Sequence, residues 1–380
     1  MTDPVIGENA GFIHQFKRGG DGPSVVIKDS IDVAGYPTGM GSPAYAGAEI
    51  ASKDAACVTA LIEEGFSIVG KSVLHELALG ATGINSWQGT AYNSRYPDYV
   101  PGGSSSGSAT LVGAGIVDIG VGTDTGGSVR VPAGCCGVVG LKTTFGLIDH
   151  AGVYPATTTL DCVGFFARDP ALIDQCVVAC ARQAPPPRTD IRRIGLLSLP
   201  GDEDAKAALA VFGAASGCEI IPVVLDELEA AFDAGFTILA AEAWAGAGHL
   251  TGKGLLNPDL EARMLASSTI TSDQINIAEA QRIRFRDAVD QLLSQVDVIA
   301  LPTFSQCPPT LEEGAAATSG VPLTRYVRPF NLSGHPAIAI PLTNAAGTPS
   351  SLQIVGRYGD DRTLCHIAQA IMQSLLAHPN

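Results

Sequence analysis

The chain has 380 residues, of which 46% are hydrophobic and 16% are charged, and its formal net charge is -15 at pH 7. This composition is typical of an acidic globular protein with a large core, and it excludes the extended basic surface that nucleic-acid binding requires. By length alone the chain is compatible with two or three domains or with one large α/β domain.

The amino-terminal twenty residues lack a basic segment followed by an apolar core, so the sequence predicts no secretory signal. There is also no run of about 18 apolar residues that would predict a membrane span. The nine cysteines form no Cys-x-x-Cys pair with metal-binding spacing, which favours free buried thiols in a reducing compartment. We therefore expect a cytoplasmic protein without membrane association, metal or cofactor.

The first informative segment is a short apolar run that ends in a charge. Residues 25–27 are β-branched and predict a buried strand, with Lys28 at or near its end. Residues 54–69 predict a helix followed by a second strand. Residues 81–99 are rich in Gly, Asn, Ser, Tyr and Trp, which predicts an irregular wall.

Two clusters of glycine and hydroxyl residues follow, at 102–108 and 123–128. The apolar segment between them predicts a buried helix and then a buried strand, so both clusters are loops attached to one core. The first cluster contains the Gly-x-Ser-x-Gly spacing of a nucleophile elbow, which is weak without a downstream acid and histidine. Neither cluster is followed by the lysine of a phosphate-binding loop.

The remaining chain alternates predicted strands and helices. We predict strands at 194–197, 220–224, 297–301, 337–341 and 351–355, and helices at 203–215, 226–250, 277–293 and 366–376. Such alternation is typical of α/β proteins. No repeat or low-complexity linker marks a domain boundary.

Several blocks together resemble the amidase signature family. They are VVIKDSIDVAGYPTGMGS at 25–42, GGSSSGSA at 102–109, GTDTGGSVRVPA at 122–133, CGVVGLKTT at 136–144, DVIALPT at 297–303 and NLSGHPAIAIPL at 331–342. The resemblance covers nearly the whole chain. It implies one domain over residues 1–380, with a mixed, largely parallel central sheet covered by helices on both faces, and a shortened variable region at about 170–290.

The same resemblance implies a Ser-cisSer-Lys triad. The family's nucleophile matches Ser128, its relay serine, which follows a cis peptide bond, matches Ser104, and its lysine matches Lys28. A serine hydroxyl needs a base within hydrogen-bond reach, and burial would lower the pKa of a lysine enough to supply one. The main-chain N–H groups predicted to stabilise the oxyanion are those of Thr125, Gly126, Gly127 and Ser128.

Other residues receive supporting roles. Asp124 and Arg130 flank the nucleophile and are expected to hold its loop, and Asp29 and Asp32 to support local structure. For His75 and Glu76, positions on a helix surface or cap are favoured over acid-base chemistry. Where glycine is usual in the family this chain has Ser106, which affects local loop geometry. The residues expected to line the acyl side of the pocket are Thr82, Gly83, Ile84, Asn85 and Trp87.

The resemblance implies an amidase that hydrolyses the C–N bond of a small linear carboxamide through an acyl-enzyme. Two alternatives stay open: an amidotransferase A-type subunit that works with partner subunits, and a non-catalytic scaffold. The expected partner is a small-molecule amide, and a homodimer or a small partner subunit that completes the site also stays open.

Overall fold

The described part of the chain contains eleven strands. The computed structural model describes residues 11–156, 158–181, 183–315, 320–342 and 344–378. Within these ranges the strands are β1 (Phe12–Gly19), β2 (Ser24–Lys28), β3 (Ser67–Ser72), β4 (Ile119–Asp124), β5 (Val139–Lys142), β6 (Cys162–Ala167), β7 (Arg193–Leu197), β8 (Glu219–Val223), β9 (Val298–Pro302), β10 (Ala337–Leu342) and β11 (Ser350–Val355).

All eleven strands belong to one mixed sheet, in the order β1-β3-β2-β4-β6-β5-β10-β11-β9-β7-β8. The predicted α/β class and the mixed sheet are confirmed, but the expectation of a largely parallel sheet is wrong. Six of the ten strand pairs between described residues are antiparallel and four are parallel. Strands buried on both faces are apolar throughout, so their sequences do not indicate strand direction.

The connection from β4 to β5 shows how the antiparallel centre arises. A short helix joins these two strands, a pattern that favours parallel neighbours. In the structure β6 lies between them and runs antiparallel to both. β10 and β11 then extend the antiparallel region on the far side of β5.

The helices cover both faces of this sheet, as predicted. Their bounds are α1 (Ala56–Glu63), α2 (Ser106–Gly113), α3 (Arg130–Cys136), α4 (Pro170–Cys180), α5 (Glu203–Ser216), α6 (Leu228–Ala247), α7 (Pro258–Ser267), α8 (Ser272–Leu293), α9 (Leu311–Gly314), α10 (Val321–Thr324), α11 (Arg328–Ser333) and α12 (Asp361–Ala377). Helices α1, α4, α5 and α12 form a continuous core with one face. The other face packs on α2 and α3 and, further along, on α6, α8 and α11.

Helix starts follow local capping chemistry. α8 begins with a capping box in which Thr271 and Gln274 satisfy each other's backbone groups, five residues earlier than the predicted helix. The sequence prediction omitted α4 and α7. Their signals were present, because Asp169 caps α4, Asn257 caps α7, and a proline occupies the first position of each helix.

All nine cysteines are free, and seven of them are buried. In the described part of the chain, no helix is both long enough and apolar enough to cross a membrane. Across the same ranges, no group of three or more His, Cys, Asp or Glu side chains is arranged to hold a metal ion.

Phe165 tests how strongly the sheet depends on its central strand. It lies on β6, is fully buried, and packs in the core that contains α1 and α4. Replacing Phe165 with alanine is expected to lower the free energy of unfolding by about 3–5 kcal/mol, because a large cavity remains. Urea denaturation measures the change, and Val224→Ala is the control because Val224 is 76% exposed. Equal denaturation midpoints for the two variants would contradict this packing.

Candidate active site

Lys28 is the last residue of β2 and lies at the middle of the site. β2 runs parallel to both β3 and β4, so its carboxyl end lies at the same edge of the sheet as the end of β4. This geometry brings Lys28 Nζ within 2.8 Å of Thr123 Oγ1, to which it donates a hydrogen bond. It donates a second hydrogen bond, also of 2.8 Å, to Ser104 Oγ.

The Lys28 side chain is fully buried. Burial, which disfavours the ammonium form, lowers the pKa of Lys28 to about 8, although the charges of Asp161 and Asp124 oppose the shift. A lysine with this pKa is partly neutral near physiological pH. It therefore has the property that a proton acceptor in this position requires.

The first glycine and serine loop is held by main-chain contacts. The peptide bond between Gly103 and Ser104 is cis, as the family resemblance implies. Gly103 N donates to Ala81 O at 2.7 Å, and His75 N donates to Ser104 O at 3.0 Å. These bonds connect the loop to the residues that line the cavity, and they hold Ser104, which is fully buried, against Lys28.

The second loop folds around the carboxylate of Asp124. This carboxylate accepts hydrogen bonds from the main-chain N–H groups of Gly127 at 2.8 Å, Val129 at 3.1 Å and Arg130 at 3.3 Å. The Arg130 side chain adds bonds from Nε at 3.0 Å and Nη2 at 2.8 Å. One buried side chain therefore determines the path of residues 124–130, which include the predicted nucleophile.

Arg130 links this loop to the carboxyl-terminal part of the chain. Its guanidinium donates to Val327 O, to Gln353 Oε1 and to Asn331 Oδ1 at 2.6–2.7 Å. Burial alone would raise the pKa of Asp124, but the charge and hydrogen bonds of Arg130 outweigh it and hold that pKa well below its usual range. Both residues are fully buried, and their role in holding the loop stays a prediction that these contacts support.

Ser128 is partly exposed and contributes to the wall of the adjacent cavity. Ser105 N donates to Ser128 O at 3.3 Å, which places the two loops side by side. Over the residues that the structure describes, no hydrogen bond joins the hydroxyls of Ser104 and Ser128. The three residues of the predicted triad thus lie on adjoining segments, with one hydrogen bond formed between Lys28 and Ser104.

The four N–H groups predicted for the oxyanion hole divide into two kinds. That of Gly127 already donates to Asp124. Those of Thr125, Gly126 and Ser128 have no protein acceptor among the described residues. Gly127 adopts a φ of +115°, which glycine tolerates and other residues rarely adopt. A Cβ there would also lie 2.3 Å from Val327 Cγ2.

The cavity beside Ser128 has a volume of about 380 Å³. Of the residues expected to line the acyl side of the pocket, Thr82, Ile84 and Asn85 lie in its wall, and Gly83 and Trp87 do not. The role of all five in substrate binding stays a prediction. Trp87 is 56% exposed on the surface, and Gly83 instead permits close approach of the first loop, since a Cβ on it would lie 2.3 Å from Gly102 O.

Asn85 has a structural role as well as a place in the wall. Its Nδ2 donates to Gly41 O and Leu74 O, while its Oδ1 accepts from the main chain of Trp87 and Gln88. These bonds occupy both the nitrogen and the oxygen of the Asn85 amide. The side chain therefore shapes the cavity rather than presenting a polar group to a ligand.

His75 and Glu76 lie at the start of a short 3-10 helix, Glu76–Ala78, with His75 at its N-cap position but without a capping side-chain hydrogen bond. Both side chains line the cavity, so they do not lie on an outer helix surface. Glu76 accepts hydrogen bonds from Ser42 Oγ at 2.7 Å and Asn257 N at 3.1 Å. Burial, helped by the positive charges of Arg263 and Lys28, lowers the pKa of His75 to about 3, so this imidazole is neutral at ordinary pH.

The local-support roles of Asp29 and Asp32 agree with the structure. Asp29 Oδ1 pairs with the buried ammonium of Lys71 at 2.7 Å. Asp32 Oδ1 accepts a hydrogen bond of 2.6 Å from Thr38.

Two residues beside the site were not found from the sequence. Thr123 is the second acceptor for Lys28, and Arg328 lines the cavity.

The model of the family described as Amidase matches residues 21–191 and 204–365. This chain belongs to the amidase signature family. The matched ranges contain both Gly/Ser loops and Lys28, so the family assignment covers the segments that form the site. The cavity described above is thus the candidate active site of an amidase-signature protein.

Curated relatives extend this picture. Fatty acid amide hydrolase of Medicago truncatula is 31% identical over 92% of this chain and 64% of its own length. Translocon at the outer membrane of chloroplasts 64, from Pisum sativum, is 29% identical over 89% of this chain and 63% of its own length. The chain therefore spans just under two thirds of the length of these relatives.

Solved structures show the same fold. A 6-aminohexanoate cyclic dimer hydrolase complexed with substrate superimposes with a TM-score of 0.85 over 96% of this chain and 89% of its own, at 22% identity. A glutamyl-tRNA(Gln) amidotransferase subunit from Thermotoga maritima gives a TM-score of 0.80 over 95% of this chain and 86% of its own, at 26% identity. The amidase-signature fold is thus shared by this chain and by proteins whose names denote different activities.

Arg130 provides a test of the loop that carries Ser128. Arg130→Met is expected to lower the free energy of unfolding by about 3–5 kcal/mol, because it leaves the Asp124 carboxylate buried without its counter-charge. Urea denaturation measures the effect. The control is Lys17→Met, which removes an exposed ion pair with Asp21 and should change the midpoint little. Similar midpoints for both variants would show that the pair does not hold the loop.

Proposed function

We propose that this protein is an amidase that hydrolyses the C–N bond of a small, linear carboxamide through an acyl-enzyme on Ser128. The observation that supports this most strongly is the hydrogen bond of 2.8 Å from the buried Lys28 amine to Ser104, beside the cavity that Ser128 lines. A buried lysine with a lowered pKa has a specific use in this position. It is the base that an otherwise weak serine nucleophile requires.

In the proposed reaction the Ser128 oxygen attacks the amide carbonyl carbon and passes its proton through Ser104 to Lys28. The tetrahedral intermediate then collapses, the C–N bond breaks, and the departing nitrogen receives a proton by the same route. Ammonia or an amine leaves, and Ser128 holds the acyl group as an ester. Water then attacks this ester with Lys28 and Ser104 again moving the proton, and the carboxylic acid leaves.

The relay requires Ser104 and Ser128 to come within hydrogen-bond distance during the reaction. Their loops already share a main-chain hydrogen bond from Ser105 to Ser128. Catalytic hydrogen bonds are often long in a protein without substrate and shorten when substrate binds. Ser104 is suited to the intermediate position because a hydroxyl both donates and accepts.

The negative charge of the tetrahedral intermediate would be stabilised by the main-chain N–H groups of Thr125, Gly126 and Ser128. These are the three members of the predicted set that have no acceptor within the described ranges. Gly127 instead contributes through its bond to Asp124, which orients the loop. Loss of one oxyanion donor typically costs about 3–4 kcal/mol of barrier lowering, so the loop held by Asp124 and Arg130 matters for the rate as well as for stability.

A cavity of about 380 Å³ is near the lower end of the range for small-molecule sites. This size supports a small substrate. Its walls combine apolar side chains such as Leu79, Ile84 and Leu260 with a few polar ones, so the acyl part is expected to bury apolar atoms as well.

The likeness to an amidotransferase subunit supports one alternative, in which the same chemistry operates within a complex. Amide hydrolysis by the purified chain alone would favour an independent amidase. Activity that requires a co-purifying partner chain would favour the alternative. For a non-catalytic scaffold, the buried Lys28, Ser104 and the cavity-facing Ser128 would have no chemical purpose, which makes this second alternative less favourable. A cytoplasmic location stays a prediction.

Ser128→Ala tests the nucleophile. Hydrolysis of an amide panel, measured by ammonia release, should fall at least about 1,000-fold, because no acyl-enzyme can form. Mass spectrometry should detect a covalent adduct in the unchanged protein and none in the variant. Ser106→Ala is the matched control, since it removes a hydroxyl from the first loop that has no hydrogen-bond partner. Retained hydrolysis by Ser128→Ala would exclude the proposed mechanism.

The pH dependence tests Lys28. Because the base must be neutral and the pKa of Lys28 is about 8, kcat/KM should rise as pH increases and level off above pH of about 8. The profile is measured between pH 6 and pH 10 on the unchanged protein, with a neutral amide whose own charge does not change. Lys28→Ala should reduce activity nearly as much as Ser128→Ala. A flat profile across this range would contradict the role of Lys28 as base.

A further inference from the structure

Arg328 is a buried charge beside the predicted oxyanion loop. It is the first residue of α11, is only 8% exposed, and lines the same cavity as Ser128. A Cβ added to Gly126 would lie 3.4 Å from Arg328 Nε. The Arg328 guanidinium therefore lies close to Gly126, whose main-chain N–H we assign to the oxyanion hole.

The surrounding residues hold the side chain in this position. Its aliphatic part passes Gly235 of α6, where a Cβ would lie 3.1 Å from Arg328 Cγ. The guanidinium carbon lies 4.5 Å from the ring centroid of Phe232 and 5.3 Å from that of Phe236. Nη2 donates to Thr324 Oγ1 at 2.9 Å. Aromatic faces and a hydroxyl thus orient the group without neutralising its charge.

The charge has no carboxylate partner in the described part of the chain. Nε and Nη1 are buried and form no hydrogen bond, and Arg328 takes part in no ion pair. Burial lowers the pKa of Arg328 to about 10, opposed only by the more distant charge of Asp233, so the side chain stays positive at neutral pH. A buried positive charge is costly unless an anion compensates it.

The nearby Arg130 shows what compensation in this fold looks like. That guanidinium is fully buried too, but it bonds to Asp124 and to three further acceptors. Among the described residues Arg328 has none of these acceptors and donates only to the hydroxyl of Thr324, and it differs further in lining the cavity. The missing counter-charge is therefore expected to come from a molecule in the cavity.

We infer that Arg328 recognises a carboxylate on the acyl part of the substrate, so that the preferred substrates are short monoamides of dicarboxylic acids. The inference rests on the proposed function and specifies its substrate class. Because the guanidinium is adjacent to Gly126, the carboxylate would be only a few carbon atoms from the amide carbonyl. It would remain chemically unchanged while the C–N bond is hydrolysed, and it would position that carbonyl at Ser128.

The kinetic test compares each of three anionic amides, malonamate, succinamate and glutaramate, with its neutral diamide of the same length. The unchanged protein should prefer the anionic member of at least one pair, mainly through a lower KM. In Arg328→Met the ratio of kcat/KM within that pair should fall on the order of 10- to 100-fold, because a charge-assisted hydrogen bond is lost. Arg328→Lys, which keeps the charge, should recover part of the preference.

Arg325→Met is the matched control. Arg325 lies three positions earlier, pairs with Glu229 at 2.8 Å, and is not part of the cavity wall. Its variant should keep the full preference for the anionic amide. A neutral diamide preferred in all three pairs, or an unchanged ratio in Arg328→Met, would overturn the inference.

A binding measurement separates this inference from the proposed function. Calorimetric titration of Ser128→Ala with malonate, succinate and glutarate should detect binding of at least one dicarboxylate, and the double variant with Arg328→Met should lose it. If no amide is hydrolysed and no Ser128 adduct forms, the amidase proposal fails while this titration still decides the anion site. If amides are hydrolysed but no dicarboxylate binds more tightly than its neutral diamide, only the assignment of Arg328 is wrong.

Discussion

The burial of the Lys28 amine is the constraint on which the candidate site depends. An ammonium group in the core is unfavourable, and the structure responds with two hydroxyl acceptors and a pKa near 8. In this structure β4 runs parallel to β2, and Lys28 and Thr123 therefore reach the same edge of the sheet. Two of the four parallel strand pairs, β2–β3 and β2–β4, meet at the strand that carries Lys28.

A second constraint connects distant parts of the chain. The Asp124 carboxylate organises the loop of Ser128 from within, and Arg130 extends that organisation to Asn331 and Gln353. Because Arg130 bonds to residues of α11 and β11, the loop of Ser128 and the segment that carries Arg328 are parts of one hydrogen-bonded unit. Any shift of α11 would therefore change the loop of Ser128 and the cavity wall together.

The sequence indicated the local parts of this arrangement well. The strand ending at Lys28, the two loops at 102–108 and 123–128, and the helices on both faces follow from composition, periodicity and family motifs. Strand direction did not, because β6 and β10 are apolar on both faces and carry the same signal in either direction. Gly83 and Trp87 were expected in the wall because the resemblance implied that their irregular segment lines the acyl side of the pocket, and only the fold shows that Gly83 approaches the first loop and that Trp87 is exposed.

Long-range pairing explains the residues that were missed. Nothing near Thr123 in the sequence indicates Lys28, which is 95 positions away, and nothing near Arg328 indicates Gly126. A signal for Arg328 existed in the form of an arginine between apolar residues at the start of α11, but such a residue usually forms a structural ion pair, as Arg130 does. The distinction between the two arginines lies in their acceptors. One has its charge compensated by the fold, whereas the other has its charge directed to a cavity, and this difference makes Arg328 a group for ligand recognition.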